Sequence, residues 1–317
     1  MTVGRLSSLA LAGFLGCGGG SVPPPPPDPP PPAPVARPSA APLALRVVRV
    51  PGAALHFAER GTGTPVVLVH GTLGSVDTWR AQLDTFAAHH RVVVYSRRYH
   101  PPNDPQSGPY TLERHVADLI AVIEALRLER VHLVGASYGA YVVLGATLRR
   151  PDLVRSLVLE EPPIRPWLGR SHVGDSLRRA FDAGVIEPAR TAFARGDSVA
   201  ALRRFVDGVR GAGTFDRLAE PARAALLRGA FGLRLELRAD PDAYTPPLSC
   251  DALGRIPNPV LLVTGQRTHP MFRVILAELE RCLTSEETVT VPAAGHATHA
   301  DQPAWYNAVV LRFLARN

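Results

Sequence analysis

Two short segments carry the residue types that nucleophilic catalysis needs. Gly135-Ala136-Ser137-Tyr138-Gly139 has the pattern G-x-S-x-G. It directly follows the expected strand Val131–Val134 and opens a helical pattern from Tyr138 to Arg149. A serine at so tight a strand-to-helix turn sits in a strained backbone with its hydroxyl presented, and small residues on either side let neighbouring chain approach. The start of the following helix also favours developing negative charge. Ser137 is therefore the candidate nucleophile. Near the C-terminus, Gly295-His296-Ala297-Thr298-His299 follows the run Thr288–Val291. A histidine in such a loop can reach a serine and accept its proton. His296, directly after the glycine turn, is the candidate base, and His299 reads as a loop or first-turn residue.

Acyl transfer also needs two fixed N–H donors aimed at the carbonyl oxygen as it becomes charged. One would be the N–H of Tyr138, next after the serine. The other would come from His70-Gly71-Thr72, which follows Val66–Val69; Thr72 is the first choice and Leu73 the alternative by register. His70 itself reads as a structural histidine that hydrogen-bonds this loop.

These residues need a scaffold, and the hydrophobic pattern describes one. Leu45–Val50 and Ala53–Ala58 read as strands turning at Pro51-Gly52. Val66–Val69, Val92–Tyr95, Val131–Val134 and Ser156–Leu159 read as buried strands. Between them, Asp77–Ala88, Thr111–Leu126 and Tyr138–Arg149 have helical spacing, with Thr111 as an N-cap. The alternation stops after Pro162-Pro163: Ile164–Pro257 holds helical patterns and no convincing strand. It resumes with Val260–Thr264 (strand), Pro270–Cys282 (helix), Thr288–Val291 (strand) and Pro303–Ala315 (helix). Alternating strands and helices predict a mostly parallel sheet flanked by helices. The interruption predicts a helical insert, in which Phe181, Phe193, Phe205, Phe215, Leu226, Leu227 and Phe231 read mainly as lid core.

Taken in order, the H-G loop, the G-x-S-x-G elbow, the helical insert and the late G-H motif resemble the α/β-hydrolase superfamily, from about residue 45 to the end. The resemblance implies an α/β-hydrolase fold with an α-helical cap and a serine-acid-histidine triad. In many relatives the acid follows the strand after the cap, in a pattern like G-x-x-D; here that segment reads Gly265-Gln266-Arg267-Thr268. Threonine cannot stabilise an imidazolium as a carboxylate does. Other relatives, several haloalkane dehalogenases among them, carry the acid after the strand that precedes the cap. Here that strand ends in Glu160-Glu161. Aligning Val154–Leu159 with the family puts Glu161 at the acid position. Side chains alternate along a strand, so only one of the pair can face His296; Glu160 is the alternative. Arg98, in the loop Ser96-Arg97-Arg98-Tyr99, takes a structural role by the same resemblance.

The reading is then a serine hydrolase cleaving an ester-like bond, with a small-molecule substrate and neither metal nor organic cofactor. Serine at the elbow argues against epoxide hydrolase and dehalogenase chemistry, which need an aspartate nucleophile. Carbon–carbon hydrolysis, amide hydrolysis and cofactor-free perhydrolysis use nearly the same residues. A non-catalytic binding protein on a hydrolase scaffold is the competing class, supported by the acid missing after Gly265.

The chain has 317 residues, 46% of them hydrophobic, enough for one large domain with an inserted lobe. All 35 basic residues are arginines, set against 28 acids and spread along the chain, which argues against nucleic-acid binding. Residues 1–20 read as a leader, with Arg5 before an apolar run from Leu6 to Leu15. Leu15-Gly16-Cys17 resembles the lipobox of bacterial lipoproteins, which would tether the protein to a membrane through a lipidated Cys17. Residues 21–43 form a proline-rich, polyproline-type spacer. The division is then 44–163 and 258–317 for the core and 164–257 for the cap. A leader places the protein in a cell envelope; a mis-chosen start places it in the cytoplasm. Cys250 and Cys282 could pair, but two separate buried thiols are the expectation.

Overall fold

The computed structural model describes Met1 and residues 42–317. Cys17 and most of the proline-rich segment lie outside the described residues. The antiparallel hairpin β1 (Arg46–Val50) and β2 (Ala53–Arg60) turns at Pro51-Gly52, where Gly52 has a positive φ of 70°. Then follow β3 (Pro65–Val69), α1 (Arg80–Ala87), β4 (Arg91–Tyr95), α2 (Leu112–Ala125), β5 (Val131–Ala136), α3 (Tyr138–Arg149) and β6 (Val154–Glu160). The helix expected to begin at Asp77 instead starts as a short 3-10 turn, Val76–Trp79, capped by Ser75. Thr111 caps α2 as expected, its hydroxyl accepting from Arg114 N–H at 3.2 Å.

The segment between β6 and the next strand is helical. It contains α4 (His172–Phe181), which runs through a π-turn into α5 (Glu187–Ala194), then α6 (Ser198–Arg210), α7 (Thr214–Arg217) and α8 (Glu220–Arg228). It closes with α9 (Ala230–Arg238), α10 (Pro241–Tyr244) and α11 (Cys250–Gly254). The chain returns to the sheet as β7 (Val260–Gly265), α12 (Pro270–Cys282), β8 (Glu286–Val291), α13 (Thr298–Asp301) and α14 (Pro303–Arg316).

The eight strands lie in the order β1-β2-β4-β3-β5-β6-β7-β8, parallel from β4 to β8, with the hairpin antiparallel at one edge. Strands β5 and β7 are buried along their whole length, which is why their sequences are mainly apolar on both faces rather than alternating. Alternation sorts their side chains into two layers: Val67, Val69 and Leu133 face α2, α3 and α12, while Val66, Leu68 and Val134 face α1 and α14. Arg98 is structural, as the resemblance implied. Its guanidinium pairs with buried Asp118 and donates to the carbonyls of Pro51 and Gly52 at 3.0 Å, pinning the hairpin to α2.

The two cysteines are not separate thiols. Cys250 on α11 is disulfide-bonded to Cys282 at the end of α12, across 32 residues. The sequence did not reveal this because only the return of the cap lays α11 along α12. Closing a loop of that length restricts the unfolded chain, so reduction should lower stability by about 2–4 kcal/mol, measured by chemical denaturation. Cys250→Ala should match the reduced wild type.

His132 on β5 is buried beside Ser156 (2.7 Å), His90 and Arg155. Burial first, then those positive neighbours, pushes its pKa down from 6.5 to about 4. The unfolded chain therefore binds a proton here that the folded chain refuses, between pH 6.5 and about 4. Stability contributed above pH 6.5 is lost as pH falls through that window. The melting temperature should drop across it, with a shallower slope in His132→Asn.

Candidate active site

The elbow at Ser137 is built by exclusion of side chains. Ser137 has φ 52° and ψ −122°, outside the ordinary regions for an L-residue, and its N–H donates to Glu160 O at 2.7 Å. A Cβ at Gly135 would collide with the backbone of Ala140, and one at Gly139 with the carbonyls of Val69 and His70. The loop after β3 thus lies directly on the elbow. Gly71 sits so close that a Cβ there would be 3.0 Å from Ser137 Cβ.

Glu161 lies just past β6 with φ 45°. Its carboxylate is buried and each oxygen accepts twice. Oε1 takes Thr264 Oγ1 (2.7 Å) and Gly265 N–H (2.9 Å); Oε2 takes Thr268 Oγ1 (2.6 Å) and His296 Nδ1 (2.6 Å). Thr268, the residue standing where the family pattern has an aspartate, thus hydrogen-bonds the Glu161 carboxylate. Phe272 stacks on the His296 ring at 4.1 Å and 19°, which fixes the imidazole from one face.

Glu160 does not face His296, so the alternative acid is corrected. Its side chain points to the other side of the sheet, where it accepts from Thr298 Oγ1 (2.7 Å), His299 N–H (3.3 Å) and His299 Nδ1 (2.7 Å). Burial raises the Glu160 pKa, but the bonds and charge of His299, with Thr298, outweigh it and hold the group below the ordinary carboxylate range. His299 also packs on Trp79 at 4.6 Å. The Glu160–His299 pair anchors α13 and with it the loop that carries His296.

Tyr138 is the first residue of α3, and Thr72 and Leu73 lie in the loop that crosses the elbow; Leu73 has φ 62°. The N–H groups of Thr72 and Leu73 donate to no other group among the described residues. His70 holds the loop as expected: its Nε2 accepts from Arg97 N–H (2.9 Å) and its Nδ1 donates to Gly71 O (2.8 Å). Burial, then the charge of Arg97, holds His70 neutral by pushing its pKa far down.

Ser137, His296, Thr72 and Leu73 line one cavity of ≈360 Å³, a size suited to a small molecule. Phe181, Phe205 and Leu226 from the cap line it, with Met271 and Phe272 from α12. Phe193 and Phe215 are buried in the cap, whereas Leu227 and Phe231 are 40% and 42% exposed and are not lid core. Three arginines reach the cavity, each paired with an acid: Arg165 with Asp182, Arg190 with Glu187 and Arg210 with Asp301.

Sequence reasoning missed Glu236, a cap residue that lines the cavity and is 4% exposed. It accepts hydrogen bonds from Thr72 Oγ1 (2.9 Å), Tyr110 OH (3.2 Å) and Tyr244 OH. Burial raises its pKa beyond what these donors and Arg97 can offset. One signal was available: on α9, Glu236 shares its face with Gly232, Leu233 and Leu237, so the helical spacing puts an acid among apolar positions.

Residues 66–309 match the model of the Alpha/beta hydrolase family. A 2-hydroxy-6-oxo-2,4-heptadienoate hydrolase of Pseudomonas putida is 36% identical over 124 residues, covering 36% of this chain and 43% of its own. Among solved structures, the carboxylesterase CesB of Bacillus subtilis superposes with a TM-score of 0.68 at 18% identity, covering 88% of this chain and 93% of its own. A bromoperoxidase of Bacillus anthracis reaches 0.70 at 21%, covering 86% and 100%.

The two carboxylates should separate by experiment. Replacing Glu161 by Gln should lower kcat on p-nitrophenyl acetate by about three orders of magnitude or more. Glu160→Gln should stay within about tenfold of wild type in kcat while losing about 1–3 kcal/mol of stability, since it leaves buried donors poorly matched.

Proposed function

Because the chain belongs to the alpha/beta hydrolase family, we propose that it is a serine hydrolase that cleaves an ester-like bond through an acyl-enzyme. The observation that carries this reading is that His296, bonded to Glu161, lines the same cavity as the strained Ser137. With Nδ1 bonded to Glu161, His296 keeps Nε2 for the serine. In the proposed cycle Nε2 takes the Ser137 proton as Oγ attacks the carbonyl carbon. The N–H groups of Tyr138 and Thr72, with Leu73 as the alternative to Thr72, hold the oxygen as it becomes anionic. His296 then gives its proton to the leaving alcohol, the C–O bond breaks, and a water activated by the same nitrogen frees the acid. Glu161 keeps the imidazole in the required tautomer and stabilises its charged form.

The cap supplies Phe181, Phe205, Leu226 and Leu237 to the cavity, which favours an apolar acyl or alcohol group. The Cys250–Cys282 bond supports an oxidising compartment, as does the leader-like N-terminal sequence.

A graded series of p-nitrophenyl esters, with the dienoate substrate in the Pseudomonas relative's name added to the panel, tests the proposal. Wild type should turn over at least one short ester and take a fluorophosphonate label on Ser137. Ser137→Ala should lose at least about a thousandfold in kcat, and the label with it. Turnover of the dienoate alone would move the assignment to carbon–carbon cleavage. No turnover and no label would support the binding-protein reading.

A further inference from the structure

The residues proposed to hold the oxyanion are tied, through their side chains, to one segment of the cap. Thr72 Oγ1 donates to Glu236 Oε1 at 2.9 Å. The ring of Tyr138 stacks on Tyr244 at 4.6 Å and 9°, and its OH donates to Tyr244 O at 2.8 Å. Tyr244 closes the circuit by donating its own OH to Glu236. One turn further along α3, Tyr141 OH donates to Pro246 O. The cap segment from Glu236 to Pro246 therefore grips both sides of the site where charge would develop.

The core completes the grip from beneath. Arg97, fully buried, donates from Nε to His70 O (2.8 Å) and from Nη2 to Gly71 O (3.1 Å). Its Nη1 donates to Tyr110 OH (3.1 Å), which donates to Glu236 Oε2 (3.2 Å). The loop 70–72 is thus enclosed by a continuous ring of hydrogen bonds, Arg97–Tyr110–Glu236–Thr72 and back through the loop carbonyls to Arg97. A loop of backbone donors is soft unless both its faces are held, and an oxyanion hole is effective only when its donors are already in place. A lid that merely covered the cavity would not need an acid buried at this contact.

We propose that Glu236 is a positioning residue: seated in the cap, it sets the backbone of Thr72 through the threonine hydroxyl and that of Tyr138 through Tyr244, so the oxyanion site is assembled by the cap rather than by the core alone. This rests on the serine-hydrolase reading above. It also makes the cap part of the rate, because any shift of α9 moves the donors as well as the lid. The carboxyl touches no reacting atom in this scheme. Its effect should fall on the step in which charge develops and leave ground-state binding alone.

The test compares wild type, Glu236→Gln, Glu236→Ala and Tyr244→Phe on the best p-nitrophenyl ester, together with inhibition by phenylboronic acid. That inhibitor becomes tetrahedral on the serine and places a negatively charged oxygen where the oxyanion would lie. Glu236→Ala should lower kcat about ten- to a hundredfold, with KM within about twofold. The phenylboronate Ki should rise by the same factor. Glu236→Gln, which keeps a carbonyl oxygen for Thr72, should return to within about fivefold of wild type, and Tyr244→Phe should lose about three- to tenfold in kcat. If Glu236→Ala does not fold by circular dichroism, Tyr244→Phe decides, through a loss in kcat matched by the rise in phenylboronate Ki. An unchanged kcat in a folded Glu236→Ala or Tyr244→Phe variant would overturn the proposal and leave the serine-hydrolase reading intact. So would a change confined to KM, or a fall in kcat without a change in Ki. A wild type inactive on every ester and unlabelled at Ser137 would overturn the underlying reading, and this proposal with it.

Discussion

At the join of β5 and α3 there is no space for side chains, and the rest of the site is arranged around that fact. Gly135 lets α3 start against the end of β5, Gly139 lets α3 lie against the end of β3 and the loop after it, and Gly71 lets that loop lie on Ser137. Ser137 is left in a conformation costing of order 1–3 kcal/mol, which persists only because its neighbours over-determine it. Its N–H is bonded to Glu160 O on the adjacent strand, and α3 is held to the cap through Tyr138 and Tyr141. The strain is borne where β3, β5 and β6 run parallel at the centre of the sheet.

The adjacent pair Glu160-Glu161 shows how one strand end serves two purposes. The two side chains leave β6 on opposite sides, and each meets a histidine from the same C-terminal loop. Glu161 faces His296, and three further donors fill its remaining capacity. Glu160 faces the helices on the other side and holds α13 in place through Thr298 and His299. A loop anchored three residues from His296 keeps the imidazole where Glu161 can reach it. Thr268, where the family pattern has an aspartate, donates to the Glu161 carboxylate.

The cap contributes more than apolar wall. Its helices enclose the cavity with Phe181, Phe205 and Leu226, but its later segment also carries polar groups that bond to the core. The disulfide fixes the C-terminal end of that lobe to α12, which itself carries Phe272 against His296. Cap and core are thereby joined at the loop after β3 and along α12, whose last residue, Cys282, carries the disulfide and whose first turn carries Phe272 against His296.

The sequence by itself determined the parallel sheet, the helical insert and the identities of Ser137 and His296 as candidates, because these depend on local signals. Strand runs, helical periodicity and the glycines of a tight turn are written within a few adjacent residues. It also narrowed the acid to Glu160 or Glu161, since strand alternation says they diverge but not which face holds His296. That choice needed the register of β6 against β7 and the path of a loop 135 residues further on. The roles of Glu236, Arg97, Tyr110 and Tyr244, and the pairing of Cys250 with Cys282, were decided only by tertiary structure. Each is a contact between segments far apart in the chain, and no local pattern of residues specifies which distant partner folding will bring within bonding distance.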